Sequence, residues 1–248
     1  INKYFSFFSY PNITVKHLLT HTSGLPEYTY LTDTAWGNDT IYKNNLETIK
    51  LLSNSNQEAY FAPGTRYDYC NSNYIILAAI AEKVEKTTFH KLVDNLIKKP
   101  LQLPSLHVYN ANKKLCNQYN VKGMRGDHSL VKPHLLDGVV GDKSIYANVY
   151  DLYLLSQNLM AHNIINANTL KEMTKPHIKV KNNQYYGYGI RVTVLDNGDI
   201  WHYHNGWWHG FRSYFWFNLK TKETIVILTN RLKCGFLNPR DIISLMHQ

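Results

Sequence analysis

The run Pro63-Gly64-Thr65-Arg66-Tyr67-Asp68-Tyr69-Cys70-Asn71-Ser72-Asn73-Tyr74 joins a turn to a buried helix. Pro63 fixes φ and Gly64 is free to take φ > 0, the chemistry of a tight turn. A short aromatic stretch follows and ends at Tyr69. Asn71 or Ser72 can then cap a helix whose apolar residues Ile75, Ile76, Leu77, Ala79, Ile80 and Val84 recur at helical spacing. A phenol and a carboxamide two residues apart, held where a loop enters a helix, can face one cavity. Read by itself, the stretch is also satisfied by an aromatic loop packed on a helix.

Two further stretches bear on that choice. Upstream stands Ile13-Thr14-Val15-Lys16-His17-Leu18-Leu19-Thr20-His21-Thr22-Ser23-Gly24-Leu25-Pro26, and downstream His204-Asn205-Gly206-Trp207. In this order the three segments resemble the serine β-lactamase and penicillin-binding-protein superfamily, in its class C β-lactamase, DD-peptidase and esterase branch. L-L-x-H-x-S-G-L is a landmark there, and Y-x-N and K/H-x-G are the second and third active-site motifs. The resemblance runs over nearly the whole chain. It implies an α/β fold of the α+β type, an antiparallel sheet flanked by helices plus a mostly helical lobe. One β-lactamase-like domain over 1–248 is expected, with the helical lobe over 1–180 and the sheet and last helix over 181–248.

The nucleophile of that family is the serine of an S-x-x-K motif lying ahead of the landmark. Here the only S-x-x-K is Ser129-Leu130-Val131-Lys132, which follows Tyr69, is succeeded by Pro133 and reads as a loop. It is taken as a coincidence. The expectation is therefore a family member without its N-terminal helix, first strands and S-x-x-K segment, with a strand edge exposed as a surface for association.

At 248 residues, 44% hydrophobic and 13% aromatic, the chain can bury a substantial core. No apolar run is long enough to cross a bilayer, and no signal peptide stands at Ile1. The resemblance implies a periplasmic or cell-envelope location. Lys and Arg exceed Asp and Glu by 27 to 18, giving +9. These cations are scattered, without a stripe and without interleaved aromatics, which argues against a nucleic-acid partner. Cys70, Cys116 and Cys234 show no C-x-x-C spacing. Cys70, inside the Y-x-N motif, reads as a small buried side chain.

Along the chain, Thr14 can cap a short helix ending at Ser23-Gly24, and His17 and His21 within it read as structural. Residues 27–45 read as an irregular surface excursion, followed by a helix through Leu46–Leu52. After the helix of 72–86, Thr88 can cap another from Phe89 to Lys98, stopped by Pro100. Residues 101–137 show no sustained period. Gly138–Tyr146 reads as a glycine-rich approach to a helix capped by Asn148, with an apolar face of Val149, Leu152, Leu155, Leu159 and Met160, and a short helix follows around Thr169–Met173. Then the period changes. Gly187–Val192 alternates like a strand, Asp196-Asn197-Gly198-Asp199 is a hairpin turn, and Ile200–His204, Phe211–Phe217 and Glu223–Asn230 read as antiparallel strands. Asn238-Pro239 opens a terminal helix.

The resemblance assigns roles. Tyr69 takes part in proton transfer with the family's serine, which a free phenol of pKa about 10 does only with cations nearby, the family's lysine and a protonated His204. Asn71 orients that lysine and the substrate amide. His204 stands where β-lactamases usually have Lys, a departure shared by peptidase and esterase branches. Gly206 lets substrate lie on the strand, the Trp207 N–H is an oxyanion donor, and Trp207 and Trp208 wall the cleft. The implied activity is hydrolysis of an amide or ester through an acyl-enzyme, on a small molecule or a peptidoglycan-type peptide, without cofactor or metal. A catalytically inactive binding module is the competitor. A zinc protein using His202, His204 and His209 is a third reading, disfavoured by the lack of nearby Cys or acidic ligands.

Overall fold

Asparagine and threonine caps set most of the helix starts. In α1 (Val15–Leu19) the Thr14 hydroxyl accepts from the His17 N–H while His17 Nδ1 accepts from the Thr14 N–H, a capping box that makes His17 structural. Asn44 and Glu47 form a second box at α3 (Asn45–Asn54), after α2 (Tyr28–Trp36). Side chains of Thr88, Asn148 and Asn166 cap α5 (Phe89–Val93), α6 (Val149–Met160) and α7 (Ala167–Thr174). The helix expected over 89–98 is α5 continued by a π-helical turn, Asp94–Lys98. The computed structural model describes residues 1–36, 41–109, 121–232 and 239–246; Cys116, Cys234 and Asn238 lie outside them.

Five readings of local structure need correction. First, α1 stops at Leu19, so His21 lies beyond the helix and not within it. The stretch after residue 27 is not irregular, since α2 occupies it and buries Tyr28 and Leu31. Neither Asn71 nor Ser72 caps α4 (Ser72–Glu85) through its side chain. Asn71 stands at the cap position but donates elsewhere, and the Ser72 hydroxyl bridges Pro26 O and Tyr28 N. Val149 is exposed instead of joining the apolar face of α6. Finally, Gly187–Gly189 is a bend, so the strand starts at Arg191.

A two-stranded ribbon, β1 (His107–Val108) with β2 (Ile145–Tyr146), sits within the helical half. The main sheet is an antiparallel meander of six strands in chain order. They are β3 (Ile178–Lys181), β4 (Gln184–Tyr186), β5 (Arg191–Val194), β6 (Ile200–Trp208), β7 (Phe211–Phe217) and β8 (Thr224–Thr229). β3, which sequence did not suggest, begins a little before the expected sheet boundary. The two-residue period puts Trp216 and Phe217 on opposite faces. Trp216 packs with Trp201 and Ile243 of α8 (Pro239–Met246), and Phe217 packs with Ile190 and Met160 of α6. Helices thus flank both faces, and burying a side chain such as Phe217 contributes roughly 2–3 kcal/mol. The helical half has its own core around Leu18, Leu25, Ile49, Ile75 and Leu136.

Backbone pairing fixes the motif loop against the landmark segment. Tyr60, Gly64 and Asp68 donate their N–H groups to the carbonyls of Gly24, Thr22 and His21 at 2.8, 2.7 and 2.9 Å. Gly24 has φ +76°, and a Cβ there would fall 2.1 Å from Phe61 O, so no side chain fits. That approach places Tyr69 beside His21.

Candidate active site

His21 is the hub of the site. It follows α1 in a left-handed conformation (φ +54°), which takes it off the face of His17, and it is fully buried. Its Nδ1 accepts from the Cys70 N–H at 3.1 Å and from Asn73 Nδ2 at 3.1 Å. The ring proton therefore resides on Nε2, which donates to the buried Tyr186 hydroxyl at 3.1 Å. Tyr186 in turn meets His204 Nε2 at 3.1 Å, and His204 Nδ1 donates to Asn205 O at 3.0 Å. Both nitrogens of His204 are engaged in this chain. Burial, then the Arg191 charge, hold the His204 imidazole down at a pKa of about 4; burial, His204 and Arg191 push His21 to about 3. Both rings are neutral at pH 7, so His204 is not the cation expected beside Tyr69.

The Tyr69 ring packs, tilted by 34°, at 4.2 Å from the His21 ring and lies 6.0 Å from that of His204. At 38% exposure it keeps an open side. Burial raises its pKa to about 12, against the opposing pull of Arg191. The guanidinium of Arg191 lies 5.3 Å from the Tyr69 ring centroid and 5.6 Å from that of Tyr186. Cys70 is buried, with its thiol directed at Leu25 O and Pro26 O at 3.3 and 3.6 Å and its pKa pushed up to about 12, mainly by burial. It is packing, not a nucleophile.

Asn71 is held by Glu27. One carboxylate oxygen accepts from the Asn71 N–H at 2.7 Å and from Nδ2 at 3.1 Å, while the other accepts from Thr29 N and Oγ1 at 3.3 and 3.2 Å. This carboxylate thus sits at the N-termini of both α2 and α4, where helix dipoles favour negative charge. Burial nonetheless raises its pKa. Donating Nδ2 to Glu27 leaves Asn71 Oδ1 as an acceptor for a cation or an amide N–H. Beyond it, Lys143 is buried in an ion pair with Asp142 at 3.2 Å and donates to the Tyr28 hydroxyl; burial lowers its pKa.

β6 carries the third motif. Strand β5 pairs with it only over Ile200–Tyr203, whereas β7 pairs over His202–Trp208. From His204 onward one edge of β6 is open among the described residues. His204, Gly206 and Trp208 share the face toward the helical half. Trp208 donates to Asp137 Oδ1 at 2.8 Å, stacks on His209 at 4.3 Å, and lies 4.7 Å from Lys143 Nζ. Trp207 points to the other face, 69% exposed beside Arg212, so the two tryptophans do not wall one cleft. A Cβ on Gly206 would meet Ser213 Oγ at 2.5 Å, a hydroxyl free to rotate away.

His202 is buried and stacks on Phe217 at 5.5 Å, and among the described residues no three His, Cys, Asp or Glu side chains are grouped to hold a metal ion. Ser129 lies in an exposed loop, bonded to Asp127. Sequence reasoning brought Tyr69, Asn71 and His204 into view but missed Glu27, Lys143, Tyr186 and Arg191. Arg191 did carry a signal, a cation between the apolar neighbours Ile190 and Val192.

A beta-lactamase family model matches residues 3–243. Penicillin-binding protein 4* of Bacillus subtilis (strain 168) is 25% identical over 246 residues, covering 93% of this chain; the chain spans 54% of that relative. The crystal structure of a penicillin-binding protein from Bacillus halodurans superposes with TM-score 0.80 at 24% identity, over 96% of this chain and 73% of the other. A D-amino acid amidase from Ochrobactrum anthropi SV3, complexed with L-phenylalanine amide, gives TM-score 0.74 at 17% identity, over 93% and 68%. These two likenesses establish the shared fold.

Proposed function

Because this chain belongs to the beta-lactamase family, we propose that it carries the second and third motifs of a serine hydrolase that cleaves an amide or ester through an acyl-enzyme. What supports this reading is the approach of the Tyr69 and His204 rings to 6.0 Å where β5 stops pairing with β6, with Asn71, two residues beyond Tyr69, held by Glu27. In the proposed reaction the serine of an S-x-x-K segment, other than Ser129–Lys132, attacks the substrate carbonyl. Its proton passes by way of Tyr69 to the departing amine or alcohol, and the Trp207 N–H supports the developing oxyanion. Water then cleaves the acyl-serine. Asn71 Oδ1 receives the ammonium of the motif lysine. As its substrate we take a small amide or a peptidoglycan-type peptide, and as its place the cell envelope or periplasm, both from the motif resemblance.

A second reading is favoured by one specific observation. Neither Ser129, exposed and bonded to Asp127, nor Cys70, buried and protonated, is placed as a nucleophile beside Tyr69. By itself the chain would then bind acyl donors without cleaving them. Intact mass after incubation with a penicillin and, separately, a fluorophosphonate tests the choice, on this chain and on the gene's full product. An adduct on the full product alone supports the hydrolase. No adduct on either supports the binding module, and an adduct on this chain means Ser129 or Cys70 has been misjudged.

A further inference from the structure

A His in the third motif leaves open where the positive charge of the site comes from. His204 does not supply it: the Tyr186 hydroxyl accepts from His21 and donates its proton to His204 Nε2, while Nδ1 donates to Asn205 O, which leaves a buried, neutral ring. His21 is sealed in the core with its Nδ1 occupied by the Cys70 N–H and Asn73. Lys143 is compensated by Asp142. Arg191 differs from all three. It stands at the head of β5, in register with Tyr186 on one side and Tyr203 on the other. Its guanidinium lies within cation–π distance of both Tyr69 and Tyr186, at 5.3 and 5.6 Å. Among the described residues no carboxylate pairs with it.

We infer that Arg191 is a positioning residue for Tyr69, supplying from the neighbouring strand the positive charge that the third-motif histidine does not. The inference rests on the proton-transfer role proposed for Tyr69. When Tyr69 hands its proton on, a phenolate forms; when it recovers one, the phenolate is consumed. The guanidinium is unchanged by either step and lowers the energy of the charged one. The other groups facing Tyr69 cannot do this. His21, from the segment after α1, and His204, from β6, are neutral; Tyr67, from the same loop, is a neutral phenol; Glu27 and Asp142 are carboxylates that oppose the phenolate. Arginine suits the place, since a delocalised and weakly hydrated cation stacks on rings where an ammonium does not.

The test is a titration of Tyr69 itself. A fluorinated tyrosine of lower intrinsic pKa is placed at position 69 by codon suppression, and its ionisation is followed by 19F NMR in the wild-type background and in variants. Arg191→Gln and Arg191→Met are each expected to raise the midpoint by about one pH unit, about tenfold in the ionisation constant. Arg191→Lys should recover part of that shift, and His204→Gln should leave the midpoint within about 0.3 unit, since a neutral ring has no charge to withdraw. Each variant is read only with its near-ultraviolet circular dichroism unchanged, and Arg191→Lys remains informative should both neutral variants fail to fold. A midpoint that does not move on loss of Arg191, or one that moves more on loss of His204, overturns the inference. The titration needs no nucleophile. A shift without any acyl adduct would sink the hydrolase reading alone, and an adduct without a shift would sink only the role of Arg191.

Discussion

His202 lies buried against the Phe217 ring, and burial holds its imidazole at a pKa of about 4, below the usual 6.5. Between those two values the unfolded chain takes up a proton there and the folded chain does not. Stability is therefore complete above about pH 6.5 and is lost as the pH falls toward 4, by about 3 kcal/mol for this one residue. His21, lower still at about 3, adds to the same loss. The melting temperature is expected to drop steeply through this window, and His202→Leu should flatten that limb. Superimposable melting profiles of wild type and variant against pH would contradict the burial argument. Glu27 works the opposite way. Its raised pKa means the folded state holds a proton more tightly, so lowering the pH through its folded midpoint relieves a buried charge.

Asn45 shows how a single buried amide aligns elements. Its Nδ2 donates to Ile75 O in α4 and to Val140 O, at 2.9 and 2.8 Å, and its Oδ1 accepts from the Val140 N–H at 2.8 Å. Three segments meet there: α3, α4, and the approach that carries Asp142 and Lys143. Asn45→Ala takes from the buried Val140 N–H and C=O the partner that Asn45 provides, and a loss of about 2–3 kcal/mol is expected in urea unfolding. A change below about 0.5 kcal/mol, the range of an ordinary surface substitution, would mean that water replaces the side chain. Elements of this kind divide into those a sequence declares and those it does not. The caps at Thr14, Thr88 and Asn148 and the strand Phe211–Phe217 were legible, because capping and two-residue alternation are local. By contrast α2 was hidden in a polar segment, and β3 carries no buried residue. The motif residues were legible as a pattern. Their electrostatic partners were not, because Glu27, Tyr186 and Arg191 reach Asn71, His204 and Tyr69 only through tertiary packing.

In the molecule as a whole, the helical half brings Tyr69 and Asn71, the sheet brings His204 and Arg191, and the chain His21–Tyr186–His204 ties the two. Strand β5 ends its pairing with β6 at Tyr203, so among the described residues the edge beside His204 is open, the edge at which the proposed acyl donor would add as an extended strand. The measurement that bears most directly on this arrangement is the rate of penicillin acylation of the gene's full product, followed by intact mass, with and without Tyr69→Phe. Loss of the phenol hydroxyl should slow acylation by about 10²–10⁴-fold, the range for a proton-transfer group, while binding persists. Acylation at the wild-type rate in Tyr69→Phe would remove Tyr69 from the chemistry and contradict the proposed mechanism.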